Sequence, residues 1–326
     1  MKLSCPSCHG PLDRTEDGYH CAACARLFPM VLGIPDFRVS ALEHFNRAGD
    51  LGVARALVEA EHELDFEGLL RLYYKFRPES DPALHDLHMA HLAGEEDQAR
   101  GALDLIEERR PFGPGEALLE VGCGLGQYLA VAAERVDHVA GVDVSLALLV
   151  LARQRIEGRG AVLAAEAEHL PFADGAFAAV IAADVIEHLG DQRRSLREMG
   201  RVLLPKGSLF LSTPNRFSLA PEPHVGLWGV GYLPRRWANR YVEWRRRIFY
   251  DDVRLLSASS LRRMLGTHFP GTARLLIPGL SSRQLEHFSP LKRRIARLYL
   301  VLRRLPVLRG VFYVFGPFFH VIAEKR

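Results

Sequence analysis

Four cysteines fall in residues 5–24, as Cys5-x2-Cys8, twelve residues, then Cys21-x2-Cys24. Each pair puts two thiolates on one tight turn, and two such turns can close a tetrahedron around zinc or a similar metal. Cys5, Cys8, Cys21 and Cys24 fill every coordination position, so such a site is structural. Two disulfides are the competing reading, which a reducing compartment disfavours. A second feature is "LLEVGCGLGQ", residues 118–127, where Gly122, Gly124 and Gly126 alternate after an apolar run. "ALLEV" (117–121) reads as a buried strand and "QYLAVAAERV" (127–136) as a helix. Glycines on such a turn leave backbone N–H groups and a helix N-terminus free for a ligand. The G-x-G-x-x-G dinucleotide fingerprint would need glycine at 127, which is Gln127.

The elements that must position this loop follow in order. "HVAGVDVS" (138–145) gives a second strand ending in Asp143, which lies 21 residues after Gly122. An acid there faces a ribose and accepts hydrogen bonds from its hydroxyls. Ser145 can N-cap the helix "LALLVLARQRI". A short third strand, an acidic turn holding Glu166 and Glu168, and a fourth strand (177–183) come next. Leu196, Met199 and Leu203 mark a helix face, and Pro205-Lys206-Gly207 turns into a fifth strand, 208–213. Residues 257–269 fit a helix and 272–278 a sixth strand. This βα alternation predicts an α/β fold, a parallel sheet with helices on both faces.

The 326 residues, 48% hydrophobic, suffice for one large core and a small accessory module. Residues 41–110 hold about 16 acidic against 8 basic side chains, whereas residues 232–310 hold about 18 basic against 4 acidic. A basic C-terminal third suits a nucleic acid, an anionic membrane or an anionic substrate, or is simply a solvated Arg-rich face. "MKLSCPSCHG" shows no apolar signal core. "GVFYVFGPFFHVIA" (310–323), about 14 residues, falls short of the roughly 20 needed to span a bilayer. The expected location is cytoplasmic, with peripheral contact at the inner membrane face as an extension.

Residues 41–110 read as helical, broken at "FRPESDP" (76–82). His85, His88 and His91 share a helical face, but no carboxylate or cysteine completes a metal site, so they read as a polar face. Residues 214–256 crowd Trp228, Tyr232, Trp237, Tyr241, Trp244, Phe249 and Tyr250 into a segment after strand five. It should lie over the carboxyl edge as a lid, its aromatics walling an apolar pocket or stacking on a base, some forming a core of their own. His188 and His224 are the general-base candidates. In residues 279–316, Leu291, Ile295, Leu298, Leu302 and Leu305 form a stripe beside Lys292, Arg293, Arg294, Arg297, Arg303 and Arg304. Such a helix can lie on anionic lipid or pair with a partner helix. Packing of the stripe on its own domain is slightly favoured.

"EVGCGLGQ", "AGVDVS", "EAEHLPFADGAF", "VIAADVIEHL" and "LPKGSLFLSTPN" resemble the successive motifs of class I S-adenosylmethionine-dependent methyltransferases, nearest the quinone-type and small-molecule branch. The resemblance covers residues 115–215. It implies a Rossmann-like seven-stranded methyltransferase sheet with an antiparallel last strand at 318–325. It further implies a cofactor site of Glu120, Gly122, Cys123, Gly124, Gly126, Asp143, Val144, Glu166, Ala167 and Asp184. There the glycines admit the methionine part, Asp143 holds the ribose diol and Val144 packs on adenine. Glu166 stands where the family usually has Asp on the adenine amine, and Ala167 offers its backbone. Cys123 reads as a small loop filler, and Glu168 is left unassigned. Residues 1–37 resemble the small zinc-ribbon proteins that activate partner methyltransferases, in CPxC, CxxC and "FPMVLGIPDF". A similar ribbon opens a family of ribosomal-RNA guanine methyltransferases, where the fourth ligand is usually histidine and here reads as Cys24.

The chain thus divides into a zinc ribbon (1–38), a helical connector (39–112) and a class I methyltransferase domain (113–326) with a helical, aromatic lid insertion (214–256) and a basic amphipathic insertion (279–316). The expected reaction moves a methyl group from S-adenosylmethionine to an O, N or C nucleophile of a small, partly apolar acceptor, such as a quinone or a lipid-linked compound. The rivals are an RNA base methyltransferase, motivated by the ribbon and the basic C-terminal third, and a non-catalytic docking partner of another protein. Against the RNA reading, the position after strand four holds "ADVIEH" and not an Asn/Asp-Pro-Pro-aromatic motif.

Overall fold

A computed structural model describes residues 2–40, 45–76, 96–251, 253–280, 285–286 and 289–326. A small antiparallel sheet comes first: β1 (Asp13–Arg14), β2 (Gly18–Cys21), β3 (Arg26–Val31) and β4 (Ile34–Pro35). Two helices follow, α1 (Arg47–Ala60) and α2 (Phe66–Lys75), and residues 96–107 are helical and labelled α3. The main body then alternates β5 (Ala117–Val121), α4 (Gln127–Ala132), β6 (His138–Asp143), α5 (Leu146–Arg155), β7 (Ala161–Ala164), β8 (Phe177–Ala183), α6 (Gln192–Val202) and β9 (Leu203–Pro214). It ends with α7 (Arg235–Arg246), α8 (Ala258–His268), β10 (Arg274–Leu276), α9 (Pro290–Leu302), α10 (Arg309–Phe315) and β11 (Phe318–Glu324). His85, His88 and His91 lie outside the described residues.

The seven-stranded sheet has the order β10-β11-β9-β8-β5-β6-β7. β5, β6, β7, β8 and β9 pair in parallel, and β11 runs antiparallel between β9 and β10. This is the Rossmann-like seven-stranded sheet, with its antiparallel last strand, that the resemblance implies. Its order reverses between β5 and β8, and in open α/β sheets ligands bind outside the carboxyl ends of the strands at such a point.

The connector helices belong to the core. α5 reads "LALLVLA" and is buried on all sides, which requires a second layer over it. α1 and α2 supply that layer through Ala54, Leu57, Leu69, Leu70 and Tyr73. The acidic excess of this region meets arginines of the main body: Arg153 with Glu61, Arg155 with Glu96, and Arg135 with Asp104 and Glu107.

The ribbon is sewn onto the free edge of the same sheet. Asp36 bridges Ala164 of β7, Phe37 N–H donates to the Ala164 carbonyl (2.7 Å), and Leu3 bridges Phe172. Phe37 is fully buried, and Phe28 and Phe37 pack ring to ring at 5.2 Å. A fully buried aromatic of this size contributes roughly 1.5–3 kcal/mol. The ribbon therefore contacts its own chain in cis.

In the C-terminal third one expectation is refined and one corrected. The lid's own core is mostly aliphatic (Val225, Leu227, Val230, Val242, Val253, with Tyr250), while Trp244 is 74% and Phe249 83% exposed. Arg240 and Arg245 stack over Trp237 and Trp244. The stripe of α9 does not pack on its own domain. Leu291, Ile295 and Leu298 are all exposed, and Ala296 is the residue of α9 that is buried. Tyr299, Arg303 and Ala296 hold the helix from its other side, Tyr299 and Arg303 through the carbonyls of Pro278 and Ile277.

Candidate active site

The glycine loop leaves β5 at the reversal point. Gly122, Gly124 and Gly126 all have left-handed backbones, at φ 69°, 48° and 74°, which only glycine adopts freely. A Cβ on Gly122 would stand 2.3 Å from Val185, and one on Gly126 would press on Ala152 at 3.0 Å. A Cβ on Gly124 would meet nothing within 4 Å. The loop therefore opens onto free space at Gly124, beside the N-terminus of α4, which Gly126 begins.

Asp143 ends β6 facing this loop. Its carboxylate accepts from Gly124 N–H (3.0 Å) and Ser145 N–H (2.9 Å). Burial raises its pKa despite those donors. Two oxygens still offer lone pairs to a vicinal diol. Glu120 is buried and accepts from Leu129 N–H, so it fixes α4 to β5. Cys123 is buried with its sulfur directed at Gly141, and burial pushes its thiol up. Only its backbone serves the loop.

Glu166, on the side that the resemblance assigns to adenine, already has partners within the chain. Glu166 is 2% exposed, and its two oxygens accept from the backbone N–H groups of Val39 and Ser40, both at 3.0 Å. Arg47 adds an ion pair at 3.3 Å. A carboxylate so buried must be compensated, and the segment behind the ribbon does it. Ala167 is buried beside it, and the Val144 carbonyl accepts from Arg38 (2.7 Å). Asp50 of α1 completes the strap, accepting from Ser145 Oγ (2.6 Å) and Leu146 N–H (2.7 Å).

On the other side of the crevice, β8 is followed by Asp184, at φ 51°, whose Oδ1 accepts from Ser212 Oγ (2.9 Å). The next turn, Ile186–His188, carries Glu187 and His188. The lid insertion brings His224 back to them, so that His188 Nε2 and His224 Nε2 stand 3.0 Å apart and Glu187 Oε1 lies 3.9 Å from His224 Nε2. His224 Nδ1 is bonded to Glu222, whose other oxygen accepts from Val225 N–H. Burial, reinforced by the Asp184 charge, pushes Glu187 up to about 7. Burial lowers the His224 pKa, but Glu222 outweighs it and the net shift is upward.

Residues 119–211 match Methyltransf_11, the methyltransferase domain. The match runs from within β5 into β9 and so contains the glycine loop, Asp143, Glu166, Asp184 and Glu187. A methyltransferase of Streptomyces halstedii named GfsG is 36% identical over 33% of this chain and 41% of its own. A demethylmenaquinone methyltransferase of Thermus thermophilus is 34% identical over 41% of this chain and 58% of its own. The chain thus spans about half the length of these relatives. Among solved structures, a complex of the Haloferax volcanii Trm112 methyltransferase activator with a methyltransferase aligns over 72% of this chain and 93% of that one, at 16% identity and TM-score 0.49.

Sequence reasoning found the two histidines but not their meeting, since 36 residues separate them. Glu222 had a readable signal, its two-residue spacing from His224. Asp50, Arg38 and Arg47 had none, because they reach the site from about a hundred residues away. At the ribbon the four sulfurs lie within 4.8 Å of one another, with Cys5 and Cys24 at 3.6 Å and Cys8 and Cys21 at 3.5 Å. A tetrahedron with metal–sulfur bonds of about 2.3 Å has edges of about 3.8 Å, and a disulfide needs about 2.05 Å.

Proposed function

We propose that the chain is an S-adenosylmethionine-dependent methyltransferase acting on a small, partly apolar acceptor. The observation that carries this is the left-handed glycine loop, open at Gly124 and facing Asp143 at the sheet's reversal point. Gly122, Gly124 and Gly126 would admit the methionine part of the cofactor, Asp143 its ribose, and Val144 and Ala167 its adenine. Glu166 acts one step away, by holding the Val39–Ser40 strap over that side. The cofactor supplies an electrophilic methyl group, and transfer then depends mainly on in-line placement. His188 and His224 face the acceptor's nucleophile from the β8 side.

The sulfur geometry supports structural zinc at Cys5, Cys8, Cys21 and Cys24, within a ribbon (1–38) that caps the sheet edge through a helical connector (39–112). No described helix is long and apolar enough to cross a membrane. The exposed stripe of α9 beside Lys292, Arg294 and Arg297 supports docking on an anionic lipid surface, where a partly apolar acceptor would be met.

The test is calorimetric titration of S-adenosylmethionine into the zinc-replete chain and an Asp143→Ala variant. Micromolar binding that Asp143→Ala weakens tenfold or more (about 1.4 kcal/mol) is expected. No binding by the folded chain overturns the reading in favour of a docking role.

A further inference from the structure

The meeting of Glu187, His188 and His224 is built as a metal site. One ligand atom from each lies within 4.8 Å of the others. Two ligands about 2.1 Å from one ion stand about 3.0 Å apart at 90° and about 3.4 Å at the tetrahedral angle. The His188–His224 nitrogen separation is 3.0 Å.

Three features set the donors. Glu222 Oε2 accepts from Val225 N–H and its Oε1 holds His224 Nδ1, which turns His224 Nε2 toward His188. A carboxylate behind a histidine is the usual outer support of a metal-bound imidazole. Glu187 Oε2 is fixed by the Thr213 hydroxyl (3.0 Å), which leaves Oε1 directed at the histidines. That Oε1 is fully buried and has no hydrogen-bond partner, a cost of about 1–3 kcal/mol unless something fills the gap. Asp184 and Glu222 add negative charge around it, and no arginine or lysine pairs with Glu187 among the described residues.

We propose that Glu187 Oε1, His188 Nε2 and His224 Nε2 bind one divalent ion of the Mn2+, Fe2+, Co2+ or Zn2+ type, with Glu222 orienting His224. Two imidazoles and one carboxylate suit these ions better than Mg2+ or Ca2+, which prefer all-oxygen sets. The three ligands leave coordination positions open on the exposed side, where His188 and His224 reach solvent.

For the acceptor, this part resting on the methyltransferase reading, the site narrows the choice to an oxygen nucleophile. A metal-bound hydroxyl loses its proton near neutral pH, and that proton passes to solvent. The oxyanion keeps the O–H pair and uses it to form the new C–O bond. The methyl–sulfur bond breaks with its electrons going to sulfur. The histidines then serve as ligands and not as bases.

Mn2+ is the probe, because thiolate-bound zinc in the ribbon resists it. It is titrated into the zinc-replete full chain, with free Mn2+ followed by its paramagnetic resonance signal. One Mn2+ per chain is expected, bound at least tenfold more weakly by both His224→Gln and Glu187→Gln. His188→Gln, an exposed position, guards against misfolding, and all three variants should keep the parent's circular dichroism. Absence of binding, or binding unchanged in all three, overturns the metal site and leaves a histidine pair sharing a proton. S-adenosylmethionine titrated into the same samples separates the two readings. Mn2+ binding without cofactor binding keeps the metal and discards the transferase; cofactor binding without Mn2+ does the reverse.

Discussion

The chain attaches two kinds of material to its sheet, and it treats them oppositely. The N-terminal ribbon and connector helices are absorbed: Phe37, Leu57 and Leu70 are fully buried, and acids at 61, 96, 104 and 107 find arginines of the main body. The C-terminal insertions keep apolar and cationic groups outside: Trp244 and Phe249, and Leu291, Ile295 and Leu298 among the basic residues of α9. Both regions contain amphipathic helices of similar length. What differs is the charge that accompanies the apolar face. Acidic helices meet an arginine-bearing body and close on it. The arginine-rich α9 is instead held through backbone carbonyls, as by Arg303 on Ile277, and leaves its apolar face free for an anionic partner.

The largest expected effect lies in the absorbed region. Cys21 is buried where the ribbon meets the sheet, and structural zinc contributes on the order of 10 kcal/mol to isolated zinc modules. A Cys21→Ser chain should hold one zinc fewer than the parent on elemental analysis and lose several kcal/mol of stability, seen as a melting temperature lower by ten degrees or more. A zinc-free chain that melts with the parent would mean that the ribbon is attached but not integral.

How far this contrast was legible depends on the range of the interactions. Each sheet strand could be read from local patterning; the span 177–183 was found as expected, because a parallel strand buried on both faces is a continuous apolar run. β9 begins at Leu203, five residues before the expected start, since the Pro205–Gly207 turn stays within a bulged strand. The glycine loop was legible because its spacing encodes local backbone geometry. The saturation of Glu166 by Val39 and Ser40 was not, because burial of a carboxylate is decided by a segment more than 120 residues away. Nor did the α9 stripe disclose which way it faced, since amphipathicity fixes that a helix has an apolar side but not what covers it.

A second effect, about 2 kcal/mol between pH 7 and 4.5, tests the underside of the exposed region. Arg303 and His320 line a cavity of about 520 Å³ between β10, β11 and the end of α9. Burial, with Arg303 adding like charge, pushes His320 down to about 4. The unfolded chain protonates this histidine near pH 6.5 and the native chain does not until about pH 4. The unfolded state thus binds more protons in that window, so stability rises with pH from 4 to 6.5 and is constant in this respect above it. Denaturant titrations at pH 4.5 and 7 should show this loss in the parent and a clearly smaller one in His320→Gln. Equal losses would mean that the imidazole is hydrated and the cavity open to water.

The smallest expected effect bears most directly on the contrast. Ile295 and Leu298 are more than half exposed, so replacing both by serine removes no packing, and the melting temperature should stay within about two degrees. Immersed in the acyl boundary, each side chain would contribute about 1 kcal/mol, roughly half the value of full burial. The double variant should therefore bind vesicles containing phosphatidylglycerol about 30-fold more weakly. Substituting Lys292, Arg294 and Arg297 by glutamine acts on the other half of the interaction, at about 1 kcal/mol per charge on an anionic leaflet. This loss should vanish in high salt, because the Debye length falls to about 3 Å at 1 M, whereas the serine losses should not. If the serine variant melts well below the parent, the stripe packs against its own chain in solution. The two regions would then differ in charge alone, and an arginine-rich helix would have closed on the body as the acidic ones do.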